Sequence, residues 1–236
     1  MRRLPPPTMA LTLRALALLL SYPDARLRQH LAELRTALHA ERALTVGRLA
    51  EIDLLVARLA GARALDAEAT YVELFDRGRG TALHLFEHVH GDNRDRGQAM
   101  VDLVKTYEQA GLVLGDAELP DFLPVVLEYA STQPAAQARE FLRESAHILQ
   151  AIFSALLGRR SPYASVLAAV LELAGEKAHA VTLPEEPALD ESWEEPAAFG
   201  GCSIQGQARP ERTQPIHIVK RSPAAAAASA DPGAPA

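Results

Sequence analysis

The chain has 236 residues, 48% of them hydrophobic, and is therefore long enough to bury at least one sizeable core. A formal net charge of −6 argues against a general nucleic-acid binder. The single cysteine, Cys202, excludes a disulfide framework or an iron–sulfur cluster within one chain and indicates a reduced, cytoplasmic setting. No run reaches the roughly 18 apolar residues of a membrane span, so no membrane insertion is expected.

Helical periodicity continues to about residue 182 and predicts an all-α fold, a single domain of eight to ten helices. The apolar run at residues 10–20 follows two arginines like a secretory leader, but its spacing favours a first amphipathic helix that ends at Tyr22-Pro23. The predicted buried stripe of this helix is Leu11, Ala15, Leu18 and Leu19.

The next two helices have clear apolar stripes. Asp24 is predicted to cap a helix over residues 24–39, and the third helix spans residues 46–60. The two stripes are Leu27, Leu31, Leu34 and Leu38, and then Leu49, Ile52, Leu55, Val56 and Leu59.

Further helices are predicted over residues 66–77 and 81–90, and from Asp92 or Asn93 to residue 111. Another begins near Pro120, one long helix covers residues 134–157, and a last one begins at Pro162.

The composition changes after residue 182. Residues 183–236 are acidic and proline-rich, then Ala/Pro-rich, and are predicted to form a largely disordered tail. Leu189, Trp193 and Phe199 stand among its acids, which leaves open whether the tail packs on a protein surface or is a solvated spacer.

Charge is unevenly distributed along the chain. Residues 64–130 hold five Lys or Arg and thirteen Asp or Glu, a balance of −8. A solvated face is the usual explanation, and a site for a cationic ligand or peptide is the alternative.

The segment HLFEH at residues 84–88 matches H-x-x-E-H, the inverted zincin pattern. On a helix, His84 and His88 would share one face with Glu87 beside them, and a zinc hydrolase is one hypothesis. The polar turn that follows, GDNRDRG, favours instead a hydrogen-bonded helix junction, with Arg94, Asp95 and Arg96 pairing across it. We therefore predict structural or partner-binding histidines, no catalytic residues and no metal.

Residues 71–112, YVELFDRGRGTALHLFEHVHGDNRDRGQAMVDLVKTYEQAGL, resemble the signature block of the NarJ family, the delta subunits of respiratory nitrate reductase. The segments LRALALLLSYPD (13–24), ELPDFLPVVLEYAS (118–131) and LDESWEEPAAF (189–199) are also similar to that family.

The resemblance implies a cytoplasmic, non-enzymatic assembly chaperone without a cofactor of its own. Its partner would be the N-terminal peptide of the apo catalytic (alpha) subunit, held until the molybdenum cofactor and iron–sulfur cluster are inserted and before membrane docking. A chaperone of the same group for another molybdoenzyme, or a permanent subunit of the reductase, are alternatives. A monomer or weak homo-oligomer is expected.

An apolar groove beside carboxylates would suit such a basic peptide. The candidate client-binding residues are Tyr71, Glu73, Leu74, Phe75, Asp76, His84, Glu87, His88, Asp92, Arg94, Asp95 and Tyr107.

Overall fold

A computed structural model describes residues 8–90, 95–115 and 118–182, and all secondary structure in these ranges is helical apart from one isolated β-bridge. The ten α-helices are α1 (Ala10–Leu19), α2 (Ala25–Glu41), α3 (Val46–Gly61), α4 (Ala64–Tyr71), α5 (Glu87–His90), α6 (Asp95–Gln109), α7 (Leu123–Thr132), α8 (Ala135–Glu144), α9 (Ala146–Gly158) and α10 (Ala164–Ala174). The all-α prediction is confirmed. No helix within the described ranges is long and apolar enough to cross a membrane.

The described residues belong to one unit, Met1–Glu186. The predicted boundary at residue 182 stays a prediction, and the predicted tail, with its Trp193, lies outside the described residues.

Two helices, α1 and α10, form the centre of the core. Helix α1 packs against α2, α7 and α10, while α10 packs against α3, α8 and α9. Both are buried on most of their circumference, as expected for helices that are apolar nearly all round. The predicted stripe of α1 is therefore partly wrong, since Leu11 and Leu18 are 50% and 41% exposed. In a helix this apolar, the neighbouring helices decide which leucines are buried, and periodicity does not.

Helices α2 and α3 agree with the sequence prediction. The Asp24 carboxylate accepts a 2.7 Å hydrogen bond from the Leu27 N–H, and all the predicted stripe leucines of both helices are buried. At the far end of α2, Glu41 accepts hydrogen bonds from the N–H groups of Leu11 and Thr12 and so caps α1. Burial opposes ionisation of Glu41, but these hydrogen bonds outweigh it and lower its pKa.

Three predicted helices differ from the structure. The predicted helix 134–157 breaks at Ser145 into α8 and α9, and since α10 packs against both halves, the break allows each half to follow α10. The helix predicted over residues 66–77 ends as α4 at Tyr71 and is followed by a π-helical turn, Val72–Asp76. The helix predicted over residues 81–90 is reduced to the single turn of α5. Asp92 and Asn93, the predicted caps of α6, lie outside the described residues.

A buried aromatic cluster links α4 to α10. The ring centroids of Tyr71 and Phe75 are 4.8 Å apart, and those of Phe75 and Tyr163 are 5.1 Å apart. The Tyr71 hydroxyl donates a 2.8 Å hydrogen bond to the Leu20 carbonyl, whereas the buried Tyr163 hydroxyl has no hydrogen-bond partner among the described residues.

This difference predicts opposite outcomes for two matched substitutions. Tyr71→Phe should lower the free energy of unfolding by about 1 kcal/mol because a buried hydrogen bond is lost. Tyr163→Phe should leave stability unchanged or raise it, because it removes a buried hydroxyl that bonds to no described residue. Urea denaturation of both variants measures the free energy of unfolding, and an equal loss of stability in the two variants would contradict the prediction.

Candidate functional site

The segment after α4 places several side chains along one edge of the domain. The π-helical turn Val72–Asp76 is followed by Gly78 and a 3₁₀ turn, Arg79–Thr81. The Thr81 hydroxyl donates to the carbonyl oxygens of Leu74 and Gly78, which holds the two turns together. A Cβ at Gly78 would lie only 2.5 Å from the Leu74 carbonyl oxygen. This tight reversal therefore needs a glycine at this position.

The HLFEH segment does not form one helix, because residues 84–86 are non-helical and only Glu87 and His88 belong to α5. His84 is extended and forms an antiparallel bridge with Phe122. The Leu85 N–H donates to the Asp121 carbonyl at 3.0 Å, and the Leu123 N–H donates to the Leu83 carbonyl at 2.8 Å. The prediction that residues 84 and 88 share a helix face is wrong, because pairing with the segment before α7 satisfies the backbone better than a helical turn here.

The carboxylate of Asp121 organises this junction. It is fully buried, accepts a 3.1 Å hydrogen bond from the Phe86 N–H and lies 3.4 Å from Nδ1 of His84 and 4.0 Å from Arg96. The hydrogen bond with Asp121 raises the pKa of His84, against the opposing effect of partial burial. Arg96 also pairs with Glu87 at 3.3 Å. The segment is thus a hydrogen-bonded junction with Arg96 in it, as GDNRDRG indicated.

His88 has a separate role, since its Nε2–H donates to the Ala82 carbonyl at 2.8 Å. Across the described part of the chain, no three His, Cys, Asp or Glu side chains are grouped so that they could hold a metal ion. The geometry that an inverted zincin requires is not formed by His84, Glu87 and His88.

Beside this junction lies a groove with a volume of about 1120 Å³. Its walls come from α1, α2, the π-helical turn, the 78–87 segment and α7. Its apolar lining residues are Leu18, Tyr22, Leu27, Leu34, Tyr71, Phe75, Ala82, Leu83 and Phe122. Leu18 and Tyr22 are 41% and 46% exposed, so the groove presents apolar surface to solvent.

The groove is also acidic. Six carboxylates and two arginines line it, which gives a net charge of about −4 with neutral histidines. The acids are Asp24, Glu33, Asp76, Glu87, Glu118 and Glu128, and the arginines are Arg26 and Arg79. Partial burial and the neighbouring Glu118 raise the pKa of Glu128. An apolar floor with an acidic rim suits a ligand that carries apolar and cationic side chains together.

A second, smaller pocket of about 460 Å³ lies between α1, α7 and the segment after α6. It is lined by Arg14, Leu18, Tyr107, Leu112, Val113, Leu114, Gly115, Glu118, Val125, Glu128, Tyr129, Ser131 and Thr132.

The structure brings five of the predicted client-binding residues together in the groove, namely Tyr71, Phe75, Asp76, His84 and Glu87. It leaves five others outside that groove. Glu73 is exposed and pairs with Arg77 at 3.4 Å. The Leu74 carbonyl and the His88 ring form the hydrogen bonds described above. Asp95 is exposed in the first turn of α6, and Tyr107 lines the second pocket. Asp92 and Arg94 lie outside the described residues. A binding role for each of the twelve stays a prediction.

Sequence reasoning missed several groove residues, among them Leu18, Tyr22, Glu118, Phe122 and Glu128. One available signal was the excess of leucines on α1, which has more apolar positions than one buried stripe can hold. For Glu118 and Glu128 the available signal was the excess of acids over residues 64–130, which did not single out these two because their neighbours are determined by tertiary contacts.

In its overall fold the chain resembles the crystal structure of a putative redox enzyme maturation protein from Archaeoglobus fulgidus. The TM-score is 0.52 at 18% sequence identity, and the match covers 74% of this chain and 99% of the other. At this identity the likeness defines the fold class alone.

The family itself is defined by sequence: the chain belongs to the nitrate reductase delta subunit family, whose model matches residues 21–169. It is 44% identical over 187 residues to the nitrate reductase molybdenum cofactor assembly chaperone NarJ of Escherichia coli K12, covering 75% of this chain and 79% of that protein. It is 30% identical over 164 residues to the probable chaperone of the same name in Bacillus subtilis, covering 68% and 86% of the two chains. The resemblance drawn from residues 71–112 is confirmed.

Proposed function

We propose that this protein is a cytoplasmic assembly chaperone for a molybdenum-dependent nitrate reductase. It binds the N-terminal peptide of the apo catalytic subunit and supports insertion of the molybdenum cofactor and the iron–sulfur cluster before the enzyme docks at the membrane. Membership of the delta subunit family and the 44% identity to a named molybdenum cofactor assembly chaperone support this role.

The observation that carries the peptide-binding step is the acidic apolar groove. Its volume of about 1120 Å³ exceeds the roughly 300–1,000 Å³ typical of small-molecule sites. An amphipathic helix would lay its apolar face on Leu18, Tyr22 and Phe122, which removes exposed apolar surface from water. Its lysines or arginines would meet Asp76 and Glu87 at the rim.

The chaperone acts through preferential binding and needs no catalytic step. By binding the client peptide while the catalytic subunit lacks its cofactors, it stabilises the state that accepts them, by an amount equal to its differential affinity for the two states. Completion of the subunit removes the contacts that favour the chaperone complex, and the chaperone is released.

Calorimetric titration with a peptide from the N-terminus of the nitrate reductase catalytic subunit tests this proposal, and we expect saturable binding. Asp76→Lys should raise the dissociation constant by about tenfold or more, because it places a cation opposite the cations of the peptide. Glu140→Lys is the matched control, because Glu140 is an exposed acid on α8 that lines neither cavity. This control substitution should change the dissociation constant by less than about twofold, as expected for a solvent-exposed charge. Absence of binding, or equal losses in the two variants, would contradict the proposal.

A further inference from the structure

The second pocket adjoins the groove. Three residues, Leu18, Glu118 and Glu128, line both of them. A ligand that lies along the groove and extends past these three residues would therefore reach the second pocket.

The junction between the two cavities combines charge with exposed apolar surface. Glu118 and Glu128 both line the two cavities and interact unfavourably with each other, and Arg14 partly offsets this for Glu128. The Nε of Arg14 donates to the Ser131 hydroxyl at 3.1 Å. A cationic side chain placed between the two carboxylates would relieve their repulsion. Leu18 lies beside them with 41% of its surface exposed.

Beyond the junction the pocket is mainly apolar. Tyr107 and Tyr129 form its aromatic wall, with ring centroids 4.8 Å apart, and Val125 and Leu112 complete it. Tyr107 is fixed, because its hydroxyl donates to the Pro120 carbonyl at 2.7 Å. A rigid aromatic wall of this kind is suited to an aliphatic or aromatic side chain.

We propose that the second pocket is a distinct subsite for the client segment. A lysine or arginine of the segment binds between Glu118 and Glu128, and a neighbouring apolar side chain enters the pocket against Tyr107 and Tyr129. This inference rests on the proposed function, because its occupant is the same cationic amphipathic peptide. It adds that the recognised segment must extend past the main groove and carry an apolar anchor beyond a cation.

Gly115 provides a direct test, because it lines the second pocket and does not line the main groove. A Cβ at this position meets no atom within 4 Å, so Gly115→Phe introduces no clash at Cβ, and we expect its ring to fill part of the pocket. Gly47→Phe is the matched control, since Gly47 is equally unobstructed and lies on α3, outside both cavities. In calorimetric titration with the catalytic subunit's N-terminal peptide, we expect Gly115→Phe to weaken binding by about tenfold, as for the loss of one buried anchor. Gly47→Phe should change it less than about twofold.

The cation is tested by combining changes on both partners. Each Lys or Arg of the peptide is replaced by Gln in turn and titrated against the wild-type protein and Glu128→Gln. For one of these cations, the peptide change and Glu128→Gln together should reduce the affinity no more than either change alone. Such non-additivity is the signature of a direct pair. Additive losses for every cation would overturn the assignment of the carboxylate pair.

The two proposals can fail separately. If the wild-type protein binds the peptide and Gly115→Phe binds it equally well, the subsite is excluded and the main groove alone explains binding. If sedimentation shows that Gly115→Phe abolishes self-association while peptide binding is unchanged, the pocket belongs to a second copy of the chain. If the wild-type protein binds no peptide, the proposed function itself fails. Thermal melting of both Phe variants confirms that they are folded.

Discussion

Replacing Asp121 by alanine is expected to lower the free energy of unfolding by about 2–4 kcal/mol, because it removes a buried acceptor from an N–H group and two cationic partners at once. The Phe86 N–H loses its 3.1 Å acceptor, and His84 and Arg96 lose the carboxylate that faces them. Urea denaturation measures the loss. Asp102→Ala is the control, because Asp102 pairs with Lys105 at the exposed surface of α6, where removal of a charge pair costs about 0–1 kcal/mol.

The same junction predicts a pH dependence. Because the folded-state pKa of His84 is raised, its contribution to stability is complete below the ordinary histidine pKa of about 6.5. That contribution is lost as the pH rises through the higher folded-state value. The stability difference between the wild-type protein and His84→Ala should therefore shrink as the pH is raised above about 6.5. A difference that stays constant from about pH 5 to pH 9 would show that His84 and Asp121 are not electrostatically coupled.

Gly78→Ala is the second substitution with a large expected effect. The added methyl group would lie 2.5 Å from the Leu74 carbonyl oxygen and 2.8 Å from Nη1 of Arg159, and it would also collide with the Thr81 hydroxyl. The arginine can move, but a main-chain carbonyl and a buried hydroxyl cannot move without disrupting the two turns. We expect a loss of about 2–3 kcal/mol, the usual cost of forced overpacking. We also expect weaker peptide binding, because Gly78, Arg79 and Asp76 all line the groove.

The matched control is Gly97→Ala. Gly97 lies in α6, and a Cβ there meets no atom within 4 Å. Alanine is favoured over glycine in a helix by roughly 1 kcal/mol, so this variant should be as stable as the wild-type protein or more so. Thermal unfolding compares the two variants directly. If Gly78→Ala unfolds at the same temperature as Gly97→Ala, the turn accommodates a side chain.

The elements that could be predicted from sequence are those whose stabilisation is local. Helix α2 has a side-chain cap at Asp24 and one leucine stripe, so its limits and buried face followed from the residues alone. The break at Ser145 has no such signal, because Ser145 lies between good helix-forming sequences and the break accompanies the packing of α8 and α9 on α10.

The groove was only partly predictable for a related reason. Its walls combine residues that are far apart in sequence, such as Tyr22, Phe75 and Glu128. The helix assumed for HLFEH was overruled by pairing with Asp121 and Phe122, an interaction that spans more than 30 residues and leaves no local trace. Five of the candidate residues drawn from the block at residues 71–112 line this groove, while the other groove residues followed only from the tertiary structure.

The bridge between the 83–85 and 121–123 segments also affects how the groove discriminates among ligands. Leu83 and Phe122, on the apolar floor of the groove, lie in two segments that are joined by main-chain hydrogen bonds. The spacing of these two side chains is therefore fixed before any ligand binds. The acidic rim differs, because Asp76 and Glu118 are exposed side chains with rotamer freedom. Client sequences should therefore tolerate displacement of a basic residue by one position much better than a one-residue shift in the spacing of their apolar face.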